Sequence, residues 1–109
     1  MEVELHAEAR AELATLPERE QAAIKGAIAK LVAHGPALGF PYSSAVRGAD
    51  RLRELRPRAG RSRWRALYRQ IGQMMWVGAV GPEAEVDRLG FARTIRNAER
   101  RLASLEGKG

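Results

Sequence analysis

Val3 and Leu5 alternate with Glu2, Glu4 and His6, the two-residue period of a short, half-buried strand. From Ala7 to about Leu16 the period lengthens, and Ala9, Leu13 and Leu16 fall on one helical face. Thr15 and Glu18 have capping-box spacing, Pro17 is allowed in a first helical turn, and Glu18 and Glu20 suit the positive end of a helix dipole. A second helix is therefore expected from that point. Ile24, Ile28, Leu31 and Val32 carry it to Gly35 and Pro36, which end the run, and the two helices are expected as a hairpin.

Residues 35 to 50, GPALGFPYSSAVRGAD, mix glycine, proline and serine without a period and read as a surface connection anchored by Leu38, Phe40 and Val46. Three strands are expected next: Arg51 to Pro57, Ser62 to Ile71 and Met74 to Val80. Turns at Arg58 to Arg61 and at Gly72 with Gln73 separate them, as in an antiparallel meander. Gly81 and Pro82 stop the last strand. A closing helix then carries Phe91 or Ala92, Ile95, Ala98, Leu102 and Leu105 on one face, with Arg88, Arg93, Arg96, Arg100 and Arg101 largely away from it. The order predicts an α+β domain in which helices cover one face of an antiparallel sheet and leave the other available.

At 109 residues the chain fits a single domain, 1–109, with 105–109 expected as a frayed tail. The absence of cysteine excludes disulfides, thiolate metal sites and a cysteine nucleophile, and fits a reducing compartment. The charged opening MEVELHAEAR lacks a signal-peptide core and no apolar run is of membrane-spanning length, so a cytoplasmic protein without a membrane role is expected. His6 and His34 lack companions at metal-ligand spacing, and Ser43 and Ser44 lack a catalytic His and Asp context; neither a metal nor a cofactor is expected.

Charge changes this picture most. The chain carries a net +6, yet from Arg47 to Arg69 nine arginines stand against two acids, a local +7. Strand parity puts Glu54 with Arg56, and Arg53 with Leu55; in the next strand Trp64, Ala66 and Tyr68 share one face while Arg63, Arg65, Leu67 and Arg69 share the other. Pairing across the turn would gather guanidiniums around Glu54. Arginine's planar fork grips phosphate oxygens with two donors, so such a surface would bind polyanions. The alternative is a solvated face paired with acids from elsewhere in the chain.

The span from Leu31 to Tyr68 resembles the phage-derived HigB-type family within the RelE/ParE superfamily. The carrying residues are Gly39, Pro41 to Ser44 in GFPYSS, Gly48, LRELR at Leu52 to Arg56, and RWRALY at Arg63 to Tyr68. The resemblance implies a RelE-like domain and a type II toxin that enters the ribosomal decoding site and cuts messenger RNA without a metal. A ribose 2′-OH would attack the adjacent phosphate while the protein orients the RNA and stabilises the developing charge. Arg65 matches the family's strand arginine and is the first candidate for the phosphate contact, followed by Arg56. Glu54 is either a general base or the group that orients them. Arg53, Arg58, Arg61, Arg63 and Arg69 are the expected nucleic-acid contacts, and Tyr68 and Trp64 either stack on bases or pack in the core.

The same resemblance implies two partners, messenger RNA on the ribosome and a HigA-like antitoxin with a helix-turn-helix. One departure matters: relatives carry basic residues just beyond the last strand and sometimes a late Tyr or His, whereas this chain has GPEAEVD and no Tyr or His after Tyr68. Two rival readings follow, a ParE-like inhibitor of DNA gyrase that acts by binding alone, and a degenerate, harmless binding module.

Overall fold

A computed structural model describes residues 1–107. The elements run β1 (Glu2–Leu5), α1 (Ala7–Ala14), α2 (Glu18–His34), β2 (Ser43–Ala45), β3 (Arg53–Leu55), β4 (Trp64–Ile71), β5 (Met74–Pro82) and α3 (Arg88–Leu105). They form one five-stranded sheet in the order β1-β5-β4-β3-β2. The expected meander is its centre: β3, β4 and β5 are antiparallel neighbours, and β1 lies parallel to β5 with Val3 opposite Met75. The fold is thus the expected α+β domain, with a helical pair first and a helix last.

Gly35 ends α2 at φ +54 with its N–H on the Leu31 carbonyl, a left-handed position glycine takes without a Cβ penalty. The start of α2 differs from expectation. Its N-cap is Pro17, without a side-chain cap bond, because the Thr15 hydroxyl turns back to the Glu12 carbonyl and finishes α1. Gln21 instead reaches back to the Ala14 and Leu16 carbonyls and ties the two helices together.

The alternation within the strands builds two cores. Leu55, Ala66, Tyr68, Met75, Val77 and Val80 meet Ala9, Leu13, Ile24 and Leu31 of α1 and α2. On the opposite face Leu67 and Ala79 pack with Ala98 and Leu102 of α3. Both faces of the sheet are therefore covered, contrary to the expectation of one open face. The reason lies in the strand pattern: Leu67 and Ala79 are fully buried apolar positions on the face read as cationic, and α3 is the apolar stripe that covers them. A bulge at Gly78, between the pairs Tyr68–Val77 and Leu67–Ala79, lets Val77 and Val80 share a face. Here α3 comes so close that a Cβ on Gly78 would lie 2.8 Å from Leu102 Cγ.

Arg101, expected on the outer side of α3, is buried. It donates to the Gly78 carbonyl and to both Glu12 oxygens, with Glu8 at 2.7 Å. Burial acts to lower its pKa, but the hydrogen bond and charge of Glu12, followed by Glu8, outweigh that, and the pKa is raised. The connection 35–50 also differs from expectation, since Ser43–Ala45 pairs with β3 as an edge strand. Leu38 and Val46 are buried anchors as expected, whereas Phe40 is exposed. Of the tail, Leu105 closes α3 and Glu106 accepts from Arg51 and Arg69, while positions 108 and 109 lie outside the described residues.

Candidate nucleic-acid interface

The turn between β3 and β4 is an unusual piece of backbone. Arg58, Ala59 and Gly60 have φ of +54, +55 and +93 in succession. For an L-residue the left-handed region costs roughly 1–2 kcal/mol, so two such residues in a row require support. Arg65 provides it. Its side chain is 3% exposed. Nε donates to Glu54 Oε1 at 3.0 Å, Nη1 to the carbonyls of Ser62 at 2.7 Å and Trp64 at 3.0 Å, and Nη2 to the Gly60 carbonyl at 3.2 Å. Glu83 stands 3.8 Å from Nη2. All three nitrogens are engaged with the protein itself, so the guanidinium is a brace for residues 60 to 64.

A second tie comes from α2. Arg58 forks onto Glu20, Nη1 lying 3.1 and 3.0 Å from its two oxygens, and Ser62 Oγ donates to the same carboxylate at 2.9 Å. Those two hydrogen bonds, Arg58 first, hold the Glu20 carboxyl below its usual pKa.

Arg56 joins the brace to an open surface. Its Nη1 donates to the Glu54 oxygen that Arg65 also binds, at 3.3 Å, and its Nε to the Pro41 carbonyl at 3.0 Å. The face of Phe40 lies 5.0 Å from its guanidinium carbon. Glu54, Arg56 and Arg65 thus come together as strand parity expects, with Glu54 between two cations. Beside them, α2 and the turn enclose a hollow of about 390 Å³. Its helix wall is made of the small residues Ala23, Gly26 and Ala27, and Lys30, Arg56, Arg58 and Arg61 surround it with Tyr42. Lys30 sits 4.9 Å over the Tyr42 ring. Arg61 is exposed, and among the described residues its Nε donates to the Arg58 carbonyl while the rest of its guanidinium faces outward without a hydrogen bond. Four cations against the two carboxylates of Glu20 and Glu54 leave a positive concavity.

The other arginines named from the sequence are dispersed. Arg69 is buried under Glu106 and the Asp50 carbonyl, and Arg53, half-buried, donates to Ser43 Oγ, which in turn is 2.6 Å from the Tyr68 hydroxyl. Both line a separate hollow of about 520 Å³ with Arg51 and Leu38. Arg63 is exposed beside Trp64 and Pro17, on a third hollow. Tyr68 is a core residue with its hydroxyl satisfied, and Trp64 packs on the same core. The count of local acids misled because Glu20, Glu83 and Glu106 arrive from distant segments to meet Arg58, Arg65 and Arg69. Lys30, Tyr42 and Phe40 were not foreseen as site residues, since only the tertiary fold lays α2 along the turn. Among the described residues no group of three His, Cys, Asp or Glu could hold a metal ion.

With this geometry in view, residues 11–73 match the family model described as phage-derived protein Gp49-like (DUF891). The chain belongs to the Gp49-like family. The match runs from the second half of α1 through β4 and therefore contains the whole brace donor set on the turn and every residue around the hollow. Among solved structures, the Gp49-like chain is similar to the E. coli toxin RelE, determined as a double arginine-to-alanine mutant in the free state. The TM-score is 0.62 and the identity 16%, over 87% of this chain and 94% of that one. The fold is therefore RelE-like. No curated protein matches the sequence significantly. No helix among the described residues is long and apolar enough to cross a membrane.

Proposed function

We propose that this protein is the toxin of a toxin–antitoxin pair and that it acts on messenger RNA at the ribosome, as a HigB-like endoribonuclease. Membership of the Gp49-like family and the RelE-like fold support the toxin reading. The observation that carries the RNA reading is the open cationic hollow between α2 and the 57–62 turn.

In this proposal a phosphodiester enters the hollow and Arg56, Arg61 and Lys30 contact its oxygens, with Arg58 at the rim. As the 2′-OH gives its proton to solvent and attacks phosphorus, the bond to the 5′-oxygen breaks, leaving a 2′,3′-cyclic phosphate and a 5′-hydroxyl protonated by solvent; charge accumulating on the non-bridging oxygens on the way is stabilised by donors already in place, which is where electrostatic catalysis is most effective. Arg56 is the residue best placed to serve as the catalytic cation. Arg65 and Glu54 act through it: Arg65 fixes the turn and Glu54 fixes both guanidiniums, so both are positioning residues. Arg63 adds an outlying contact to the RNA backbone, and Arg53 and Arg69 belong to the edge hollow and the core. A partner antitoxin of the HigA-like, helix-turn-helix kind, and residence in the cytoplasm, complete the reading.

One observation favours a second reading. Arg65, the strand arginine of the resemblance, is buried with all three nitrogens bonded within the protein, which suits a ParE-like inhibitor that disables DNA gyrase by binding alone. Primer extension on cellular messages after induction separates the two. Discrete cuts within codons, lost in Arg56→Ala, support the nuclease; loss of supercoiling with intact messages supports the gyrase inhibitor; normal growth without any antitoxin contradicts both.

A further inference from the structure

We infer that Phe40 and Tyr42 form a base-stacking platform at the mouth of the cationic hollow, so that the site takes single-stranded RNA by one unpaired base and its neighbouring phosphate. The inference rests on the RNA reading above and narrows the substrate to a strand with unstacked bases.

Phe40 is 75% exposed, an uncommon place for an aromatic ring. It is nevertheless held. The Tyr42 and Ser43 amides both donate to the Gly39 carbonyl, the Arg56 amide donates to the Tyr42 carbonyl at 2.8 Å, and Arg56 Nε fixes the Pro41 carbonyl. One arginine therefore fastens the chain just after Phe40, at the Pro41 and Tyr42 carbonyls, and its guanidinium lies over that ring. Tyr42, 38% exposed, repeats the arrangement with Lys30. Tyr42, Lys30 and Arg56 line the positive concavity and Phe40 adjoins it through Arg56, so two ring–cation pairs offer π faces next to phosphate donors. Unpaired bases have free faces to lay on such rings, whereas a duplex keeps them stacked inside. An acidic peptide would satisfy the cations and leave Phe40 uncovered.

The test is fluorescence anisotropy of the full chain with a short single-stranded oligouridylate, the same oligomer with abasic positions, and polyglutamate as competitor. Phe40→Ala is expected to weaken binding of the uridylate by about 5- to 150-fold, the range for loss of one stacked base. Its salt dependence should be unchanged, because no phosphate contact is removed. The abasic oligomer should bind the parent protein as weakly as the uridylate binds Phe40→Ala, and Phe40→Tyr should restore affinity. Phe40 is exposed, so an unchanged unfolding midpoint accompanies these variants. Equal affinity of Phe40→Ala and parent, equal binding of abasic and intact oligomers, or competition by polyglutamate as effective as that by unlabelled uridylate at matched charge would each overturn the platform. Its failure is distinct from that of the toxin reading: message cutting with full affinity in Phe40→Ala removes only the platform, and stacking without growth arrest removes only the toxin.

Discussion

Replacing Arg65 by alanine separates a brace from a ligand contact. The side chain is 3% exposed and makes hydrogen bonds to Glu54 and to the carbonyls of Gly60, Ser62 and Trp64. Truncation strands the Glu54 carboxylate with Arg56 as its remaining partner and removes the donors of three carbonyls. Breaking a buried ion pair by deleting one side costs about 3–5 kcal/mol. That is a large share of the roughly 5–15 kcal/mol that holds a domain of this size together. At roughly 4–6 °C per kcal/mol, the melting temperature should fall by about 12–30 °C. Arg65→Lys should recover only part of this, since an ammonium keeps the charge near Glu54 but cannot reach three carbonyls with a planar fork. Arg61→Ala is the control, an exposed arginine whose loss should stay within about 0.5 kcal/mol in stability while weakening RNA binding. Thermal and urea unfolding followed by far-UV circular dichroism, together with RNA affinity on the same samples, read stability and binding. An Arg65→Ala protein that unfolds at the parent midpoint yet no longer binds RNA would refute the brace and return Arg65 to the ligand.

Three further outcomes follow from other parts of the fold. Glu20 has its pKa lowered by Arg58 and Ser62, so its contribution to stability is complete above the ordinary carboxyl value and disappears as pH falls below it through the depressed one; the acid limb of a stability–pH curve should be shallower in Glu20→Gln than in the parent. Gly78→Ala places a Cβ 2.8 Å from Leu102 Cγ and 3.2 Å from the Ala98 backbone, and should cost about 1–3 kcal/mol in urea unfolding through displacement of α3. Tyr68→Phe removes the bond between the Tyr68 hydroxyl and buried Ser43, so it should lower stability by about 1 kcal/mol and leave RNA affinity unchanged; a selective loss of affinity would place Tyr68 in the interface.

The elements that could be read from the sequence were those whose signal is local. The spacing of Ile24, Ile28 and Leu31, the stop at Gly35 and the alternation of Trp64, Ala66 and Tyr68 each report burial within one element, and each element forms where its pattern lies. Parity likewise brought Glu54, Arg56 and Arg65 together. What the alternation of Arg65, Leu67 and Arg69 did not disclose is that this face is also buried. A single leucine between two arginines gives little apolar signal, and only α3 lying over Leu67 turns the face inward. The hollow was hidden for a similar reason. Lys30 and Gly26 are exposed positions on α2 and Arg58 and Arg61 belong to a turn, and nothing in their spacing shows that the fold sets them against one another. Ser43–Ala45 is too short for a periodic signal and forms a strand because Ser43 is held from beneath by Tyr68 and Arg53.

The most direct test of the account is RNA affinity in Gly26→Glu compared with Gly26→Gln. Gly26 borders the hollow, and a Cβ there meets nothing within 4 Å. Either substitution removes a helix glycine, so stability should rise by about 0.5–1 kcal/mol in both. Only the glutamate introduces a negative charge among Lys30, Arg56, Arg58 and Arg61, and a loss of about 1–2 kcal/mol of attraction corresponds to roughly a 5- to 30-fold weaker affinity. The account predicts that weakening for the glutamate relative to the glutamine, diminishing as salt is added. Equal RNA affinity of the two variants at low salt would contradict it.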